Sequence, residues 1–254
     1  MTTRTLAYGS HPDQVADVGL PEDGPAPLIL LLHGGFWRAR IDRGYADPLA
    51  RALAAAGYAV ANVEYRRVGD GGGWPETFDD AALALDTLPG RIDRAEPGRI
   101  DLARVVWLGH SAGGHLALWA ALRDRLPTNA SWYRDESARI AGIVALAPVT
   151  NLAEAYRRGH GENAVAEFLG GGPDRFPERY AVADLPELGP PPVSTTVVHG
   201  AQDQRVPIEM SRDYCAKAGA RLVELPGIDH FRLVEPDSPA WPAIAAAVRE
   251  RVSE

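Results

Sequence analysis

Six short apolar runs recur along the chain, each rich in Val, Ile and Leu and each closed by a glycine, proline or polar turn: LILLLHGG, YAVANVEYR, RVVWLGHS, AGIVALAP, TTVVHG and ARLVELPG. Runs with little apolar/polar alternation are the pattern of strands buried on both faces. Between them lie alanine-rich segments with apolar residues at helical spacing, such as YADPLARALAAAG, FDDAALALDTL, GHLALWAALRD and the closing PAWPAIAAAVRERV. Strand alternating with helix predicts an α/β fold, a mostly parallel central sheet with helices on both faces. In such sheets ligand sites gather beyond the carboxyl ends of the strands. A length of 254 residues suits one domain, 1–254. The segment from 151 to about 192 breaks the alternation. It holds GGGPDRF, PERY and LPELGPPP with one or two short helical patterns, and reads as a short cap-like insertion over the sheet's edge.

Composition narrows the partners. The net charge of -8 and the lack of any Lys or Arg run argue against nucleic acid. No apolar stretch approaches the ~18–20 residues that a bilayer needs, and MTTRTLAYGSHPDQ has no apolar core fit for a signal peptide. A cytoplasmic protein with no membrane partner is the expectation. Cys215, the single cysteine, is expected to be a passive thiol on a helix and can form no internal disulfide.

The strongest chemical signal is VVWLGHSAGGHLALWAAL, Val105 to Leu122, in which Gly109, Ser111 and Gly113 form a G-x-S-x-G set between an apolar strand and a helix. The pattern predicts a turn so sharp that the serine projects clear of the sheet and its flanking positions have no room for side chains. At a helix amino terminus, unpaired N–H groups and the dipole favour developing negative charge. Ser111 is therefore the candidate nucleophile.

A serine hydroxyl needs a base, and the base needs an orienting acid. Downstream, TTVVHGAQDQRVP puts Asp203 just after a strand, and LVELPGIDHF puts His230 after the next. The order serine, acid, histidine and the spacing of one strand–helix unit between the last two suit this architecture. Asp229 is a rival acid disfavoured because neighbouring side chains on an extended loop point apart; Asp184, in the insertion, is a weaker one. His110 and His115 sit too close to Ser111 in sequence to serve as base and are expected to pack beside the turn. His199 reads as structural, and His11 and His160 as solvated loop residues.

Acyl transfer passes through an oxyanion that needs preorganised N–H donors. Ala112, directly after the serine, can supply one. The loop His33-Gly34-Gly35-Phe36-Trp37 after an early strand can bring bare backbone close, with Gly35 and Phe36 as donors and Gly34 also possible. His33 is expected to brace that loop. Trp37 and Phe36 are expected at the pocket mouth, with core packing an equal alternative. No H-E-x-x-H or comparable ligand spacing occurs, so neither metal nor cofactor is expected.

With GHSAG, HGAQDQRVP, PGIDHF and the HGG loop in place, the sequence resembles the α/β-hydrolase superfamily over nearly its whole length. HGGFW looks like the HGGxW loop of kynurenine formamidases (arylformamidases) and related small carboxylesterases. The acid and histidine loops also look like those of prolyl-oligopeptidase-type peptidases, which usually carry a further amino-terminal domain. The resemblance implies cleavage of a small-molecule ester or activated amide through a covalent acyl-enzyme, with Ser111, Asp203 and His230 as triad. Its rival is a ligand-binding module of the same fold.

Overall fold

The structure, a computed structural model describing residues 2–253, joins eight strands in one sheet of order β1-β2-β4-β3-β5-β6-β7-β8. They are β1 (Thr2–Ala7), β2 (Val15–Leu20), β3 (Ala26–Leu32), β4 (Ala59–Val63), β5 (Ile100–His110), β6 (Gly142–Leu146), β7 (Thr195–Gly200) and β8 (Arg221–Leu225). From β4 to β8 every neighbouring pair is parallel, and β2 joins β4, and β1 joins β2, antiparallel. The six runs read from the sequence are β3 to β8. The amino-terminal pair was not anticipated, because TRTLA and VADVGL mix polar and apolar positions and lack the unbroken apolar signature of doubly covered strands.

Helices α1 (Asp47–Ala55) and α9 (Trp241–Ser253) cover one face; α2 (Glu76–Ala95), α3 (Ala112–Ala121) and α8 (Ile208–Ala218) cover the other. The period of two along β3 divides its side chains between these layers. Leu28, Leu30 and Leu32 pack with Leu85 of α2 and Leu116 of α3, while Ile29 and Leu31 pack with Leu53 of α1 and Ile244 of α9. Cys215 is buried on α8, and burial pushes its thiol up to about 12, so it remains protonated.

The strand order reverses at β3, which lies between β4 and β5. The chain leaves β3 toward one side of the sheet and later returns to the other at β5. Such a reversal opens a crevice at the carboxyl ends, here between the HGGFW loop after β3 and Ser111 after β5.

The 151–192 segment holds four helices rather than one or two: α4 (Leu152–Arg157), α5 (His160–Leu169), α6 (Pro177–Ala183) and α7 (Leu185–Leu188). Their shortness and intervening glycines and prolines hide the periodicity, and packing supplies what propensity lacks. Trp119 Nε1 and His115 Nε2 on α3 donate to the Val182 and Ala183 carbonyls at 2.8 and 2.9 Å. Arg38, from the HGGFW loop, pairs with Glu167 at 2.6 and 2.9 Å. The segment is thus fastened to both elements that frame the crevice.

Candidate active site

Ser111 occupies φ 54°, ψ -116°, a backbone conformation uncommon for a side-chain-bearing residue. The surrounding structure enforces it. Its N–H donates to the Leu146 carbonyl at 2.8 Å, and a Cβ on Gly113 would collide with the Leu32 and His33 carbonyls, so β3 passes directly against the first turn of α3. Ser111 is almost wholly buried and its Oγ has no hydrogen-bond partner among the described residues. Ala112, at the first helical position, has an N–H that the helix itself cannot satisfy.

The loop after β7 and the loop after β8 bring Asp203 and His230 together. His230 Nδ1 lies 2.6 Å from Asp203 Oδ2, and both side chains are nearly or wholly buried. The other carboxylate oxygen accepts the backbone N–H groups of Arg205 and Val206, each at 2.8 Å. His199, read from sequence as structural, supplies a further contact: its Nε2 lies 3.1 Å from Asp203 Oδ2 and 3.0 Å from the Val206 carbonyl. Two acceptors at one ring nitrogen require that nitrogen to carry the hydrogen, which leaves Nδ1 to accept from Ser211 Oγ at 2.7 Å. Burial alone would raise the Asp203 carboxyl. The hydrogen bonds from His199 and His230, with the charge of His230, outweigh it and hold the group well below the usual carboxylate range. A carboxylate so held keeps the His230 hydrogen on Nδ1 and leaves Nε2 free to accept a proton.

The rival acids are engaged elsewhere. Asp229 Oδ1 accepts the N–H groups of Phe231 and Arg232 at 2.9 and 3.1 Å, closing its own turn. Asp184 caps α4, accepting from Leu152 and Ala153 at 2.6 and 3.0 Å, and burial raises its carboxyl to about 6.

The HGGFW loop bends through consecutive left-handed residues, with φ of 115° at Gly35, 55° at Phe36 and 56° at Trp37. This coils the backbone so that no acceptor among the described residues takes the N–H of Gly35 or Phe36. A Cβ on Gly34 would come 3.2 Å from Ser111 Cβ, so only a bare backbone passes there. His33 anchors the loop. Its Nε2 meets Glu64 Oε1 at 2.9 Å, its ring stacks on Tyr65 at 4.4 Å, and the Tyr65 hydroxyl donates to the His33 carbonyl at 2.7 Å. Glu64 was not singled out from sequence, although a lone acid closing the apolar run of β4 is a signal that could have found it.

Gly35, Phe36, Tyr45, His110, Ser111 and His230 line one cavity of about 360 Å³, together with Arg40, Ile41, Arg205 and Phe231. Ser111 and His230 thus face the same space, without a hydrogen bond between them. Trp37 does not reach it: the indole is buried, stacked on Phe168 at 4.3 Å, and belongs to the core rather than the mouth. Phe36 lines both this cavity and a smaller recess, whereas Trp37 reaches only the recess. His160, expected in a solvated loop, is half-buried and lines that smaller apolar recess with Phe36 and Trp37; the three residues after it have left-handed rather than helical backbone. His110 Nε2 donates to the His230 carbonyl, 3.1 Å away. Burial, then the charge of His230, pushes its ring well below the ordinary value, so it is neutral.

Comparison with known proteins gives the family and the fold. The BD-FAE family model matches residues 16–217, which take in the HGGFW loop, Ser111 and Asp203. The chain belongs to the BD-FAE family. Among curated proteins similar to this BD-FAE chain are esterase LipC of Mycobacterium tuberculosis, 27% identical over 89% of this chain and 59% of that protein, and the probable carboxylic ester hydrolase LipM of the same organism, 26% identical over 94% and 58%. The chain therefore spans about three fifths of the length of these relatives. Solved structures with the same fold include a truncated carbohydrate esterase from gut microbiota, TM-score 0.79, 20% identical over 100% of this chain and 97% of that one. A bacterial heroin esterase has TM-score 0.75, 22% identical over 99% and 84%. These neighbours place the BD-FAE chain in the α/β-hydrolase fold. Among the described residues no helix is long and apolar enough to cross a membrane, and no group of three His, Cys, Asp or Glu side chains is disposed to hold a metal.

Proposed function

We propose that the protein hydrolyses small-molecule carboxylic esters through a covalent acyl-enzyme on Ser111. The observation that carries this reading is the bond from His230 to a fully buried Asp203 at 2.6 Å, on the cavity that also holds the strained, unpartnered Ser111 hydroxyl. His230 Nε2 takes the serine proton as Oγ attacks the ester carbonyl, and returns it to the departing alcohol. Water, deprotonated by the same nitrogen, then releases the acid. The N–H groups of Gly35, Phe36 and Ala112 hold the oxyanion, each donor contributing on the order of 10²–10³ in rate. Asp203 keeps the ring in the productive tautomer, and His199 positions Asp203. The 151–192 segment acts as the cap of a single catalytic domain. The esterase names of LipC and LipM support the reaction class.

Arylformamide hydrolysis, with N-formylkynurenine as substrate, is a second reading, favoured by the likeness of HGGFW to the HGGxW loop of kynurenine formamidases. Ser111→Ala should abolish turnover of p-nitrophenyl acetate; parental rates in that variant would overturn the mechanism. Comparing kcat/KM for N-formylkynurenine and short p-nitrophenyl esters separates the substrate classes, since a preference of several hundredfold either way assigns one.

A further inference from the structure

The cavity over Ser111 is lined by two arginines, Arg40 and Arg205, and by no carboxylate side chain. Neither guanidinium forms an ion pair or side-chain hydrogen bond among the described residues. This contrasts with much of the surface, where Arg212 meets Glu224 and Arg134 meets Asp86, each at 2.6 Å. The nearby acids are committed. Asp203 is bound to two histidines, Asp229 Oδ1 closes its own turn, and Glu235 pairs with Arg232 at 3.4 Å. Arg205 is also held in place, its guanidinium lying over the Phe231 ring at 5.6 Å from the centroid. Its backbone N–H bonds the same carboxylate that orients His230.

In a chain of net charge -8 the overall field repels anions, and Glu235, Asp203 and Asp229 all act on Tyr45 of this cavity, so an anion is held there by direct contact with the two guanidiniums that lack an ion-pair partner among the described residues. A guanidinium is planar and presents paired donors that match a carboxylate; stacking on an aromatic ring reduces the freedom lost on binding.

Resting on the ester-hydrolase reading above, we propose that the substrate is an ester whose alcohol portion carries a carboxylate, bound at the cavity mouth by Arg205 and Arg40. The two arginines are then specificity-determining residues. They select an anionic leaving alcohol, and the serine, histidine and oxyanion donors act on the ester bond itself.

The test compares two acetyl esters of matched shape, 4-acetoxybenzoate and the uncharged 4-acetoxybenzamide, each rate normalised to its alkaline hydrolysis. The parent protein should favour the benzoate in kcat/KM by roughly tenfold or more at low ionic strength. Added salt should shrink the preference. Arg205→Gln and Arg40→Gln should each cut the ratio severalfold, with Arg205→Lys keeping more of it than Arg205→Gln. A parental ratio at or below one, or a ratio that both glutamine variants leave unchanged, overturns the proposal while Ser111-dependent turnover of both probes keeps the esterase reading intact. Turnover of either probe at parental rates by Ser111→Ala instead overturns the esterase reading, and this inference with it.

Discussion

Replacing Asp203 with Asn tests whether this carboxylate, rather than Asp229, governs the base. Asp203 accepts four hydrogen bonds: the backbone N–H groups of Arg205 and Val206 on Oδ1, and the ring nitrogens of His199 and His230 on Oδ2. An asparagine amide can accept on only one side. If its NH₂ faced the two backbone donors, both would be left unpaired at 2.8 Å from another donor. The lesser penalty turns the NH₂ toward the histidines. His199 Nε2 keeps the Val206 carbonyl at 3.0 Å, but His230 must then offer a bare Nδ1, so its hydrogen moves to Nε2. The proposed mechanism needs that nitrogen bare, and once it carries the hydrogen it can no longer take the Ser111 proton. The wrong tautomer costs on the order of 10⁴ in kcat, about 5.5 kcal/mol. The assay is p-nitrophenyl acetate hydrolysis at pH 7, with thermal unfolding to establish that the variant folds. Asp229→Asn should stay within about threefold of the parent, since an asparagine Oδ1 can still accept the N–H groups of Phe231 and Arg232 that close the turn. A folded Asp203→Asn protein within tenfold of the parent, or a larger loss in Asp229→Asn, would refute the assignment.

Four further outcomes follow from the packing. His199→Ala removes one donor to Asp203 and leaves Ser211 Oγ and the Val206 carbonyl without their partner; kcat/KM for p-nitrophenyl acetate should fall about tenfold. Gly113→Ala places a methyl group against the Leu32 and His33 carbonyls, and denaturant titration should find it at least 2 kcal/mol less stable, at about the overpacking range. Trp37→Ala empties a buried site stacked on Phe168 and should cost about 3–5 kcal/mol, whereas Trp37→Phe should leave KM within about twofold because the indole does not line the cavity. For Glu64, burial would raise the carboxyl, but the hydrogen bond from His33 and that from the Arg43 N–H keep it below its ordinary 4.5. A folded-state value below the unfolded one stabilises the fold above 4.5 and is lost as the pH falls through the folded value. Glu64→Gln should therefore be about 1–3 kcal/mol less stable than the parent at pH 7, with the gap closing on acidification in parallel denaturant titrations.

The parallel part of the sheet was legible because strands covered on both faces must be apolar throughout, and LILLL and VVWLGH have no other reading at that length. Edge strands β1 and β2 carry no such obligation, and the helices of the 151–192 segment are fixed by α3 and Arg38 rather than by their own periodicity. At the candidate site, Gly113 and Ser111 followed from steric demands that any sharp strand-to-helix turn imposes. His199 did not, since its bond to Asp203 spans a loop whose path only tertiary packing determines; the spacing His199-x-x-x-Asp203 was the one available hint. Trp37, left open between pocket mouth and core, could not be decided for the opposite reason. Sequence adjacency to Gly35 suggested proximity to the nucleophile, but Phe36 lines the cavity whereas Trp37 is buried in the core. Nothing in the HGGFWRAR or HGAQDQRVP stretches relates Arg40 to Arg205, and their relation appears only where the loops after β3 and β7 converge.

A covalent enzyme on Ser111 is most directly tested by intact-mass and peptide mass spectrometry after treatment with a fluorophosphonate. The account predicts a single phosphonyl adduct, mapped to Ser111, with esterase activity lost in step with labelling and no adduct in Ser111→Ala. An unlabelled protein, or an adduct on another residue that tracks the loss of activity, would contradict it.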